Sequence, residues 1–173
     1  MFFKKICLLL LFIGAGWQMV YSQQGDFCNA VTAIMRDAPN KFRNIRGKTI
    51  DANYRATIWA PGIIVPGTIS SRFVASMGLF YEGAFIQTVN KDDLRSVYDK
   101  YKGLLNSCLA PQGYTLSYSD NFYPGLRDYK KVAFMPELKE DVKTTAIPPH
   151  ITMEATYSKE VGKYTIVMYI FEH

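Results

Sequence analysis

Between Asn90 and Pro111, the apolar residues Leu94, Val97, Tyr98, Tyr101, Leu104, Leu105 and Cys108 recur at intervals of three and four. At about 100° per residue they form one uninterrupted stripe over about four turns of helix. A helix with such a stripe must lay it on a second apolar layer. Asn90 is placed to cap it, and Asp92 and Asp93 suit the positive end of its dipole. Gly103 weakens it by about 1 kcal/mol relative to alanine, and Ala110-Pro111 stops it.

A shorter stripe of the same kind lies upstream. Phe27, Val31, Ile34, Met35 and Ala38 share one face, with Cys28 at its edge and Asn29, Arg36 and Asp37 pointing away. Asp26 reads as the N-cap after Gly25, and Ala38-Pro39-Asn40 as the end.

Elsewhere the period is two, as in strands. Ile50, Ala52, Tyr54, Ala56 and Ile58 alternate with mostly polar residues and read as one half-buried strand. Pro61-Gly62 and Pro66-Gly67 mark turns. Residues 69–77 and 79–89 read as strands, the second with a turn or bulge at Tyr81-Glu82-Gly83. Residues 114–118 and 129–135 follow. The segments containing Ile151, Met153, Ala155 and Tyr157 and then Tyr164, Ile166, Met168 and Ile170 form a hairpin through 159–163. Val167, Tyr169 and Phe171 are apolar too, so both faces of the last strand are expected to be covered. The polar, proline-bounded stretch 136–149 reads as a mobile loop.

The expected fold class is α+β: an antiparallel sheet of five to six strands with two helices on one face, ordered α-β-β(-β)-α-β-β-β. The same order suits a profilin-like layout or a distant duplication, although no internal sequence similarity supports the latter.

The N-terminus predicts the compartment. Lys4 and Lys5, the apolar run 6–13 and Val20-Tyr21-Ser22 have the layout of a secretory signal peptide over residues 1–22. The apolar run falls short of the about 20 residues that span a bilayer. Residues 23–173 then form a single α+β domain of 151 residues, long enough for one core. The formal charge falls from +5 to +3 on loss of the two lysines, too mild an excess for a nucleic-acid binder. No later segment reads as a membrane span. Of three cysteines, Cys7 goes with the leader, leaving Cys28 and Cys108. An even number in an oxidising compartment favours a disulfide over two buried thiols. Two helices packed antiparallel on one sheet would bring the start of the first beside the end of the second, which predicts the bond Cys28–Cys108.

No catalytic residue, metal site or cofactor is expected. The chain has no G-x-S-x-G elbow, phosphate-binding glycine loop or H-E-x-x-H, and only two histidines, His150 and His173. Asp92 and Asp93 are accounted for by helix capping, and Glu137, Glu140 and Asp141 lie in the polar loop. Lys41, Arg43, Arg46 and Lys48 interleave with Phe42 and Ile45, as in a solvated segment with its apolar residues turned inward.

Two segments suggest recognition. Tyr114, Tyr118, Phe122, Tyr123 and Tyr129 crowd a stretch rich in Ser, Asp, Asn, Pro and Gly, where tyrosine serves either a binding surface or the core. Trp59 precedes Ile63-Ile64-Val65, three apolar residues that must be buried or bind something. Tyr118, Phe122, Tyr123 and Trp59 are the candidate binding residues.

The pattern of Cys28, Ala38-Pro39, Phe42, Ile45 and Gly47, then Pro66-Gly67 and a helix ending in Cys108-Leu109, resembles uncharacterised small exported α+β proteins of Gram-negative bacteria. The resemblance implies a periplasmic or secreted domain and carries no activity. The expected function is a non-enzymatic binding module whose partner is another protein or an envelope glycan. The alternatives are a small cell-wall or glycan hydrolase using acidic residues and a structural envelope component.

Overall fold

The computed structural model describes residues 24–118, 130–136, 148–158 and 161–172. The proposed signal peptide therefore lies outside the described residues, as does most of the polar loop.

Among the described residues, helix α1 covers 24–37 and passes into a 3-10 turn, Ala38–Asn40. Helical geometry is already present at Gln24, so Asp26 lies inside the helix and is not its cap. Four strands follow: β1 (Arg46–Ala52), β2 (Thr57–Pro61), β3 (Ser70–Ala75) and β4 (Leu79–Thr88). Helix α2 (Lys91–Leu109) comes next, then a 3-10 turn and β5 (Tyr114–Tyr118), β6 (Lys130–Pro136), β7 (Ile151–Ser158) and β8 (Lys163–Phe171). The fold is α+β, with one antiparallel sheet of eight strands instead of five to six.

The extra strand near the N-terminus comes from a hairpin hidden in the alternation 50–58. Asn53 Oδ1 accepts the backbone N–H of Arg55 (2.9 Å) and of Ala56 (3.1 Å), which turns the chain with neither Gly nor Pro. Tyr54 is left 88% exposed at the tip, and Ile50, on the outermost strand, 61% exposed.

The sheet order is β1-β2-β3-β4-β8-β7-β6-β5. A helix followed by a four-stranded meander thus occurs twice, and the two meanders join along β4 and β8. The repetition that residue identities do not show is present in the topology.

Both helices lie on one face. From below it is lined by Phe73, Tyr81, Phe85, Val132, Phe134, Ile151, Met153, Ile166, Met168 and Ile170, all at most 5% exposed. Pairing across β4 and β8 shifts by one residue between Ala84 and Ile86. This bulge turns both Phe85 and Ile86 toward the core, and it falls just beyond the Tyr81-Glu82-Gly83 position expected for it. Asn90 caps α2 as expected, its side chain accepting the Asp92 N–H at 2.9 Å.

The disulfide Cys28–Cys108 is present, with Cα atoms 5.2 Å apart. The helix arrangement behind it differs from the expected one. Gln24 and Phe27 share a cleft with Lys100, Tyr101 and Leu104, Cys28 joins Cys108, and Thr32 accepts a hydrogen bond from Gln112. Contacts advance along both helices together. Helix α1 therefore enters beside the second half of α2 and runs in the same direction, not antiparallel.

The bend from α1 into β1 is held by Asp37, which is 7% exposed. Its carboxylate accepts from the Asn44 backbone N–H (3.0 Å), from Asn44 Nδ2 (2.6 Å) and from Asn40 Nδ2 (3.2 Å). Lys41 and Phe42 both adopt left-handed backbone, φ 58° and 54°, which is costly away from glycine. Phe42 is fully buried against Phe73, and Ile45 packs on the core. The basic cluster thus turns its apolar residues inward while Lys41, Arg43 and Lys48 stay exposed.

Candidate binding face

The sheet face opposite the helices has no described helix or strand packed on it. Strand pairing sets three rows of side chains across it. One row runs Ile58, Val74, Phe80, Phe171. The middle row runs Arg72, Glu82, Tyr169, Thr152, Ala133, Ser117. The third runs Ser70, Ala84, Val167, Glu154, Lys131.

The first row carries an aromatic cluster. Phe80 meets Tyr169 and Phe171, each at 5.6 Å between ring centroids, and His150 stacks on Phe171 at 4.5 Å. These are offset or edge-on geometries that aromatic pairs prefer. Phe80, Tyr169 and Phe171 are all half-buried.

Ion pairs flank the cluster. Arg72 reaches Glu82 at 2.8 Å, and Lys131 reaches Glu154 at 2.7 Å. Tyr169 stands between the two carboxylates. Burial, with the Glu82 and Glu154 charges adding to it and the Arg72 guanidinium opposing, pushes its phenol up to about 12. The hydroxyl is therefore a neutral hydrogen-bond donor at any physiological pH. Beside it, Thr152 is 4% exposed and its Oγ1 has no hydrogen-bond partner among the described residues. The face thus combines apolar contact area, a phenol donor and charges of both signs.

Of the four residues expected to bind, Trp59 and Tyr118 fall within the described residues. Trp59 is half-buried on the helix side of β2, packed against the core and covered by the Arg46 guanidinium 4.4 Å from its ring. Tyr118 ends β5, its backbone paired with Val132, while Phe122 and Tyr123 lie outside the described residues. Of the apolar run in the loop after β2, Val65 is fully buried and Ile63 packs on the core, whereas Ile64 is 62% exposed. Tyr114 donates its hydroxyl to the Pro149 carbonyl at 3.0 Å. Among the acids, Asp92 and Asp93 occupy the first turn of α2, and Glu137, Glu140 and Asp141 lie outside the described residues.

The signal for this face in the sequence was the second apolar set on the final strand, Val167, Tyr169 and Phe171, all half-buried in the structure.

Among the described residues, no group of three or more His, Cys, Asp or Glu is placed to hold a metal ion, and no helix is long and apolar enough to cross a membrane. These features define a class: a disulfide-linked α+β protein with an eight-stranded antiparallel sheet, helices on one face and an aromatic, ion-paired surface on the other. No family model matches the chain, and no curated protein or solved structure matches it either.

Proposed function

We propose that the protein is an exported, non-enzymatic binding module of the bacterial envelope or secreted space, and that it engages its partner, another protein or an envelope glycan, through the sheet face opposite the helices. The observation that carries this reading is the aromatic cluster Phe80, Tyr169 and Phe171 set between the pairs Arg72–Glu82 and Lys131–Glu154. An apolar centre with a charged rim is the usual layout of a recognition surface. The Cys28–Cys108 bond supports an oxidising compartment, periplasmic or extracellular. The N-terminal layout and the resemblance to small exported bacterial proteins point the same way.

The test is retention of envelope components on immobilised protein. A component held by the wild type should be lost with Phe80→Ser and Phe171→Ser together, and kept with Ile64→Ser, which alters exposed apolar surface away from the face. Retention unaffected by the double substitution, in protein shown by circular dichroism to be folded, would reject this face as the site.

A further inference from the structure

A concave surface lies on the helix side of the molecule. A cleft of about 390 Å³ opens where the first described turn of α1, the second half of α2 and the loop after β2 meet. That volume lies in the range of small-molecule sites, about 300–1,000 Å³. Phe27, Pro66 and Leu104 give it apolar walls, and Gln24, Lys100 and Tyr101 supply the polar groups.

We propose that this cleft binds a small amphipathic carboxylate, its apolar portion against Phe27, Pro66 and Leu104 and its carboxylate held by the Tyr101 hydroxyl and the Lys100 ammonium.

Three observations converge on that chemistry. First, Tyr101 is only 8% exposed, and the part that remains exposed includes its hydroxyl, which makes no hydrogen bond to a described residue and so meets solvent at the cleft. Its ring is fixed, stacked on Phe85 at 3.8 Å and tilted against Phe27 at 5.8 Å, so the hydroxyl is a positioned donor. Burial raises its pKa, which keeps the proton in place. Second, Gly67 has φ +87°, and a side chain there would collide with the Tyr101 hydroxyl. The hydroxyl can sit where it does because position 67 has none. Third, among the described residues no acidic side chain lines the cleft, and the Lys100 ammonium lies 5.3 Å from the Tyr101 ring centroid. A cation and a phenol donor without a carboxylate select an anionic acceptor over an amine.

Titration of isotope-labelled protein with sodium decanoate, below its micelle concentration and followed by amide chemical shifts, tests this. Shifts should centre on Phe27, Gly67 and Tyr101 and saturate. Tyr101→Phe, which keeps the ring, and Lys100→Met, which keeps the length, should each weaken binding about tenfold. Decylammonium should bind at least tenfold more weakly than decanoate. Absence of shifts in these residues overturns the proposal, as would occur if residues 1–23 fill the cleft. So do shifts that both substitutions leave unchanged, or decylammonium binding as tightly as decanoate.

Discussion

Cys28 of α1 and Cys108 on the last turn of α2 are covalently joined across a sequence separation of 80. The bond ties the two described helices together beside the Gln112 side chain that bridges Cys108 O and Thr32 Oγ1.

Removing that bond should cost much of the fold's stability. A closed loop of this length is worth about 4–5 kcal/mol in the chain-entropy model. For a domain of this size that corresponds to a melting point lower by roughly 10–15 °C. Thermal unfolding of the Cys28→Ala/Cys108→Ala protein, beside the wild type with and without reductant, measures it. A shift under 3 °C would show that the denatured chain is not restrained by the bond.

Asp37 should matter more than an ordinary surface acid. Asp37→Ala removes the acceptor for three N–H groups in the bend that holds Lys41 and Phe42 in left-handed geometry. The expected loss is about 2–3 kcal/mol, because the stranded donors are partly buried. Asp37→Asn, which retains one carbonyl acceptor, should lose less. Urea unfolding of the two variants gives the comparison, and equal stabilities for wild type and Asp37→Ala would contradict the role.

Tyr169 should be among the last tyrosines to ionise. Its folded value of about 12 lies above the ordinary phenol value of 10.0. The folded state therefore holds this proton after the unfolded chain has released it. Stability from this residue is fully present below pH 10, falls as pH rises from there, and is lost through about pH 12. Tyr169→Phe should remove one tyrosine from the most alkaline part of an ultraviolet titration and flatten the alkaline loss of stability. A variant titration missing a tyrosine near pH 10 instead would refute the placement between Glu82 and Glu154.

Much of this was legible in the chain. The stripe from Leu94 to Cys108 required a helix, Asn90 its cap, and the period-two segments a sheet, because local spacing alone decides which residues share a face. The pairing of two cysteines needed only their even number after Cys7 was set aside, and the bond is there. The hairpin at Asn53 was not legible, since its turn rests on one side-chain oxygen and the alternation continues through it.

The candidate site belongs wholly to tertiary structure. Glu82, Thr152 and Tyr169 lie on three strands, β4, β7 and β8, and become neighbours only once β8 pairs with β4 and joins the two meanders. Periodicity showed that Tyr169 and Phe171 form a second apolar set on the last strand, and two helices were expected on one face, but periodicity did not show which of the two faces that would be. The helix direction was decided there too, by Phe27 seating against Phe85 and Tyr101. Local sequence sets the period and the caps of each element. Which face meets which depends on burying Phe27, Tyr81, Phe134 and Ile166 in one core, a constraint that couples residues far apart in the chain.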